Sequence, residues 1–135
     1  MATQYLHPDV YDDGLKTISD NAGMSIVVTA GAPASRAEAL DPVGTGSGKR
    51  VSDVIALPAS DATLGAATGG RKVAIASKTG EVAVGTAGSE NLHIAIYDGT
   101  RLLAVTDETS DQQLTLGNPI TLPAFDITLT TQQPE

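Results

Sequence analysis

The stretch LHIAIYDGTRLLAVT, residues 92–106, decides the fold. Leu92, Ile94 and Ile96 alternate with His93, Ala95 and Tyr97. That period of two places successive side chains on opposite faces of a strand. Asp98-Gly99 follows, a strong hairpin signal, because both central residues of a type I′ turn need positive φ. Residues 102–106 read as the return strand. His93 falls opposite the apolar face, so partial exposure is expected for it.

Toward the C-terminus, 107–111 is an acidic turn, Leu114 and Leu116 alternate, and Gly117-Asn118-Pro119 breaks the run. Ile120 and Leu122 then share one phase, whereas Phe125, Ile127 and Leu129 share the other. A one-residue shift at Pro123-Ala124 flips the buried face, which predicts a bulge or a crossing between sheets. Pro123 has no N–H for a ladder and fits such a place.

Toward the N-terminus, Val73 and Ile75 oppose Ala74 and Ala76. Thr79-Gly80 reads as a turn, and Val82 and Val84 resume the alternation, so a second hairpin is expected. Residues 59–70 are small and glycine-rich and read as loop. Residues 51–57 read as a strand closed by Pro58, and 25–29 as another. Residues 30–34 are a turn-rich break, and 36–48 are polar and glycine-rich, an extended arm or long loop. Near the start, Val10, Tyr11, Leu15 and Ile18 suit one short amphipathic helix. Pro8-Asp9 would open it, Asp12 and Asp13 would occupy its first turn, and Asn21 and Gly23 would end it. Gly14 inside it costs about 1 kcal/mol relative to Ala.

These readings predict an all-β, mainly antiparallel fold over residues 1–135, a single-domain β-sandwich or small β-barrel. It carries a short N-terminal helical segment at 1–23 and an extended glycine-rich arm at 31–50.

Composition bounds the rest. The apolar fraction is 41%, yet the chain has only three Tyr, one Phe and no Trp. The core must therefore rest on Val, Ile and Leu rather than on aromatic anchors. The absence of Cys rules out disulfides, thiol nucleophiles and thiolate metal sites, and fits folding in a reducing cytoplasm. Residues 1–10 lack a basic region followed by an apolar run, so no signal peptide is expected. The longest apolar stretch, at 26–30, is too short to cross a membrane. Eight basic against sixteen acidic side chains give a net charge of −8, which repels nucleic-acid phosphates and anionic lipid. No nucleic-acid or membrane partner is expected.

Catalytic patterns fail one by one. A phosphate loop needs G-x-x-x-x-G-K-[ST]. Gly48-Lys49 is present, but Val43 and Arg50 occupy the flanking required positions, and Lys49 also spoils a G-x-G-x-x-G reading. His7, Asp9, Asp12 and Asp13 form the one dense set of metal-ligand residue types, which helix-start carboxylates explain better. No G-x-S-x-G elbow is present. The residues point away from an enzyme, and no catalytic residue, metal or cofactor is expected.

Three segments resemble a family of small tailed-bacteriophage structural proteins encoded near the major capsid protein. They are Tyr5-Leu6 with Val10-Tyr11-Asp12 and Gly14-Leu15; then Gly70-Arg71-Lys72-Val73; then Arg101-Leu102-Leu103-Ala104-Val105 with Leu114, Gly117-Asn118-Pro119-Ile120-Thr121-Leu122 and Ala124-Phe125-Asp126-Ile127. Residues 30–69 match poorly, and a tryptophan expected before Asp98 is absent. The resemblance implies a virion protein, a decoration or cement protein on the outer capsid surface whose partners are the major capsid protein and itself, as a homotrimer. The alternatives are a tail or fibre module that recognises a receptor or glycan, and a head–tail connector. Expected interface residues are Tyr5, Leu6, Val10 and Tyr11 as apolar anchors, Arg36 on the arm, and the basic pairs Lys49-Arg50 and Arg71-Lys72. For Leu15 and Ile18, core packing is the stronger expectation.

Overall fold

The 92–106 stretch forms the central hairpin of the largest sheet. The computed structural model describes residues 5–6, 14–21, 23–67, 70–85, 92–108 and 114–130. In chain order the strands are β1 (Tyr5–Leu6), β2 (Met24–Ala30), β3 (Ile55–Leu57), β4 (Ala62–Ala67), β5 (Gly70–Ile75), β6 (Lys78–Val82), β7 (Leu92–Tyr97), β8 (Leu102–Asp107), β9 (Pro119–Leu122) and β10 (Phe125–Thr130). Two short helices, α1 (Lys16–Ser19) and α2 (Arg36–Leu40), and a 3-10 turn at Ala59–Asp61 complete the described elements. The sheets run β1-β8-β7-β2-β3, β10-β5-β4 and β6-β9, all paired antiparallel. The fold is all-β.

Strand β7 is buried on both faces, which its alternation sorts into two clusters. Leu92, Ile94 and Ile96 join the main core with Met24, Ile26 and Val28 of β2, Val73 and Ile75 of β5, and Ile120, Leu122 and Ile127. Ala95 and Tyr97 face the other way, onto Val27, Leu102, Val105 and Ala39 of α2. His93 is buried rather than partly exposed, because β7 lies between β2 and β8. The largest fully buried side chains are all Ile, Leu and Val, as the aromatic-poor composition requires.

The hairpin turn differs from expectation. Gly99 does not adopt the left-handed conformation. Asp98 instead closes the turn: its N–H donates to the Arg101 carbonyl, and its Oδ1 accepts the N–H groups of Thr100 and Arg101 at 2.9 and 2.8 Å. A carboxylate that binds the backbone N–H groups two and three residues on replaces positive φ as the turn-maker.

Residues 70–82 and 119–130 form one antiparallel ribbon bent over a corner. Ile75 pairs with Phe125 before the corner, and Lys78 pairs with Leu122 after it. The register is thus unbroken while the two strands pass into another sheet, and the phase flip at Pro123-Ala124 marks the crossing. The expected Thr79-Gly80 hairpin is not formed. Both residues lie inside β6, where the register against β9 shifts between Lys78 and Glu81. β5 pairs with β4 and β10, not with β6. The expected 59–70 loop holds β4 instead. Its small residues have little strand propensity, so the ladder to β5 supplies the order.

The N-terminal segment contains a strand as well as a helix. β1 pairs with the edge of β8, Tyr5 opposite Val105 and Leu6 opposite Ala104. Among the described residues the helix is α1, with Leu15 at its N-cap and Ile18 within it both buried; residues 7–13, with Val10 and Tyr11, lie outside them. The expected extended arm also needs correction. Ser35 caps α2 by accepting the Glu38 N–H, and the Glu38 carboxylate accepts the Ala34 N–H. Residues 41–48 then turn back. Lys49 N–H donates to the Glu38 carbonyl and Arg50 N–H to that of Asp41. At Gly48 the strands of this turn touch, and a Cβ there would overlap the carbonyl oxygens of Asp41 and Pro42.

The returning segment stitches two sheets together. Arg50 bridges to Thr29 of β2, and Ser52 bridges to Ala83 beside β6. The Ser52 hydroxyl accepts the Val28 N–H at 2.9 Å and donates to the Asp53 carbonyl at 2.8 Å, in full burial. Ser52→Ala leaves that buried N–H unpaired and should cost about 1–3 kcal/mol, read as a lower urea midpoint at unchanged slope. Gly48→Ala should lower the midpoint too. Wild-type midpoints in both variants would show that the seam does not hold the sheets.

Candidate functional site

Of the residues expected at a partner interface, Val10 and Tyr11 lie outside the described residues, and the others fall on different elements. Arg36 and Arg50 work inside the fold. Arg36 Nε donates to the Asp98 carbonyl at 2.7 Å, and its guanidinium lies 5.3 Å from the Tyr97 ring centroid. This cation–π contact clamps α2 onto the β7–β8 hairpin. Arg50 donates to the carbonyls of Leu40 and Ser52 at 2.7 and 2.6 Å. Lys49 is partly buried and fixes the seam through its backbone. Arg71 sits in β5 opposite Ala66 and Leu129, and Lys72 pairs with Asp126 at 3.1 Å across β10. Tyr5 and Leu6 lie on the β1 edge.

A polar knot closes the hairpin end. Burial alone would raise the pKa of Asp98. The N–H of Thr100, the guanidinium and N–H of Arg101, and the Asn21 amide outweigh it and hold the carboxyl at about 2. Arg101 reaches Asp98 Oδ2 at 2.8 Å and Asn21 reaches it at 3.2 Å. His93 Nε2 lies 3.1 Å from Asp107 Oδ1 across the β7–β8 pair. Among the described residues, no group of three or more His, Cys, Asp or Glu is placed to hold a metal ion. The His7 cluster lies outside them. No described helix is long and apolar enough to cross a membrane.

Solvent-exposed aliphatic side chains lie on a few segments instead. Val43, Val54, Val82, Val84 and Leu116 are between 36% and 65% exposed. The seam and the end of the bent ribbon bring those segments together. Asp53 N–H donates to the Val82 carbonyl and Val84 N–H to that of Val51. A Cβ at Gly85 would touch the side chains of Val51 and Val43. Val82 pairs with exposed Pro119, and Gly117 N–H, next to Leu116, donates to the Ala83 carbonyl. These exposed aliphatic residues thus lie on segments that are backbone neighbours. Two carboxylates lie on the same segments. Burial raises the pKa of Glu81, and Asp53 raises it further by charge and by a shared hydrogen bond, against an opposing pull from Lys78. Sequence reading missed this exposure because Val82 and Val84 have the alternation of a buried face, Val54 lies in the stretch 51–57 that reads as a strand, and Val43 is isolated.

Asp98 gives a pH prediction. Its folded pKa of about 2 lies below the ordinary 3.8, so its stabilisation is complete above about pH 4 and is lost as pH falls toward 2. Asp98→Asn should cost on the order of 2 kcal/mol at pH 7, and the gap from wild type should close between about pH 4 and 2. Urea midpoints across that range measure it; a gap independent of pH would refute it.

Comparison with protein-family models, curated proteins and solved structures finds no match to this chain.

Proposed function

We propose that this chain is a bacteriophage virion structural protein, a capsid decoration or cement protein that binds the outer capsid lattice. The observation that carries this reading is the set of exposed aliphatic side chains, Val43, Val54, Val82, Val84 and Leu116, on segments joined by backbone hydrogen bonds. Apolar area set on a rigid surface is covered without the entropy cost of ordering a loop. The sequence segments that resemble the phage family fall on framework elements: residues 101–105 on β8, and 117–127 on β9, the corner and β10.

A cement protein acts by linkage. A protein that binds only the assembled shell stabilises it in proportion to the free energy of that binding. Trimeric binding raises the effective concentration at each further site, so single contacts can be modest. The net charge of −8 suits the outer surface, away from packaged DNA.

The test is the copy number of the chain in purified particles, by quantitative mass spectrometry against the major capsid protein. Copies near the capsid protein's own number are expected. A number fit for one ring or for the tail would move the chain to a connector or fibre role and overturn the cement reading. No copies at all would overturn a virion role.

A further inference from the structure

We propose that the open edge of β10 is a contact between two copies of this chain, which pair β10 to β10 antiparallel about a two-fold axis at Ile127. The inference goes beyond the reading above and does not rest on it. The contact is two-fold and separate from the three-fold one that the resemblance implies.

The backbone fixes what kind of group this edge accepts. β10 runs six residues, Phe125–Thr130, in unbroken register with β5, and among the described residues it pairs with β5 alone. Its outward N–H and C=O groups form a row that an extended strand completes. The other strands at the sides of the sheets each carry a feature that blunts such an edge. β1 has two residues, and β3 has three before Pro58. β9 starts at Pro119 and stops before Pro123. β6 is irregular between Lys78 and Glu81, and the Asp53 N–H already takes its Val82 carbonyl. α1 and the 3-10 turn pack against β4. β10 contains no proline, glycine or lysine and no register shift.

The side chains select a second copy as the occupant. Ile127 is buried in the main core with Phe125 packed against it, whereas Asp126 and Thr128 are exposed. A second β10 continues both faces only in registers that keep this alternation, because a one-residue slip sets Ile127 beside Thr128. With Ile127 opposite its own copy, Asp126 stands opposite Thr128 of the second copy. Thr128 is itself opposite Lys72 on β5. Each Lys72 then shares a cross-sheet row with Thr128 and with Asp126 of the second copy. That carboxylate is two strand spacings away, roughly 10 Å between Cα atoms, a span that an extended lysine and an aspartate close. Lys72 pairs with its own Asp126 at 3.1 Å, where both are open to solvent, so one cation can serve both carboxylates. Moving the axis to residue 126 sets Asp126 against Asp126, and moving it to residue 128 carries the second Asp126 away from Lys72. β10 with Lys72 is thus complementary to itself in one register. A ladder of about five residues per copy is a small interface, so the dimer is weak in solution and gains wherever copies are held side by side.

The test is backbone amide hydrogen exchange on the full chain, with molar mass by light scattering, at protein concentrations up to about 1 mM, the range that tethered copies reach. Expected is a dimer at the upper end, with alternate amides of β10 protected as it forms and those of β1 and β3 unchanged. Asp126→Lys should weaken dimerisation about tenfold, because two symmetric charge pairs turn repulsive, and Lys72→Glu should act in the same direction. The double variant D126K/K72E restores opposite charges and should dimerise within about threefold of wild type. Unchanged amide shifts in the core verify the fold of each variant. Three outcomes overturn the proposal. One is the mass of a single chain at every concentration, which leaves the edge to a different protein. Another is an assembly in which the β10 amides stay unprotected, which places the contact elsewhere. The third is wild-type dimerisation in both D126K and K72E, which removes the charge complementarity that selects a second copy.

Discussion

The segment Arg50–Val51–Ser52, with Val51 and Ser52 fully buried, is the constraint on which the other elements depend. It fills the edge of β2 that β3 leaves open: β3 pairs with Met24, Ser25 and Ile26, and Arg50 bridges to Thr29. On its other side it meets the extension of β6, where Ser52 bridges to Ala83. A hydrogen-bonded path therefore runs from the five-stranded sheet to β6 and on to the 117–118 turn, through Ala83 N–H to the Asn118 carbonyl. Buried backbone groups must be paired, and here the pairing itself joins two sheets. The Arg50 side chain adds a second tie, to the end of α2, so the helix and the seam are positioned together.

The bent ribbon solves a related problem. A strand that leaves one sheet for another must present its apolar side chains to the same interior from a new direction. With a period of two, this requires a change of phase at the corner. Val73 and Ile75 face inward before it and Lys78 pairs with the inward Leu122 after it, while the partner strand changes from Ile127 to Leu122 and Ile120. Both strands change together, so their mutual register survives.

This explains what was legible in the residues and what was not. The phase flip at Pro123-Ala124 is readable because a single strand records it. So is the division of β7 into two faces, though not the burial of the face that carries His93. The same alternation misled at Val82 and Val84, since a period of two says which residues share a face and not whether that face is covered. Thr79-Gly80 has turn chemistry, yet a bulge uses the same residues. β4 was invisible because its Ala, Thr and Gly residues gain strand structure only from β5. The α2 signal was present in Ser35 and Glu38, a capping pattern hidden in a stretch whose glycines suggested a loop. The exposed aliphatic set is a property of distant segments, 43, 51–54, 82–85 and 116–119, and no local pattern announces it.

The division of labour among charged groups follows from the same geometry. Arg36, Arg50 and Arg101 stand where backbone carbonyls or Asp98 need a donor, and there the planar guanidinium is satisfied by several acceptors at fixed angles. These cations are taken up by structure, which removes positive charge from the surface of an already acidic chain. Asp53 and Glu81 are served differently: Asp53 Oδ1 accepts the Val82 N–H, and Lys78 is the cation that acts on Glu81.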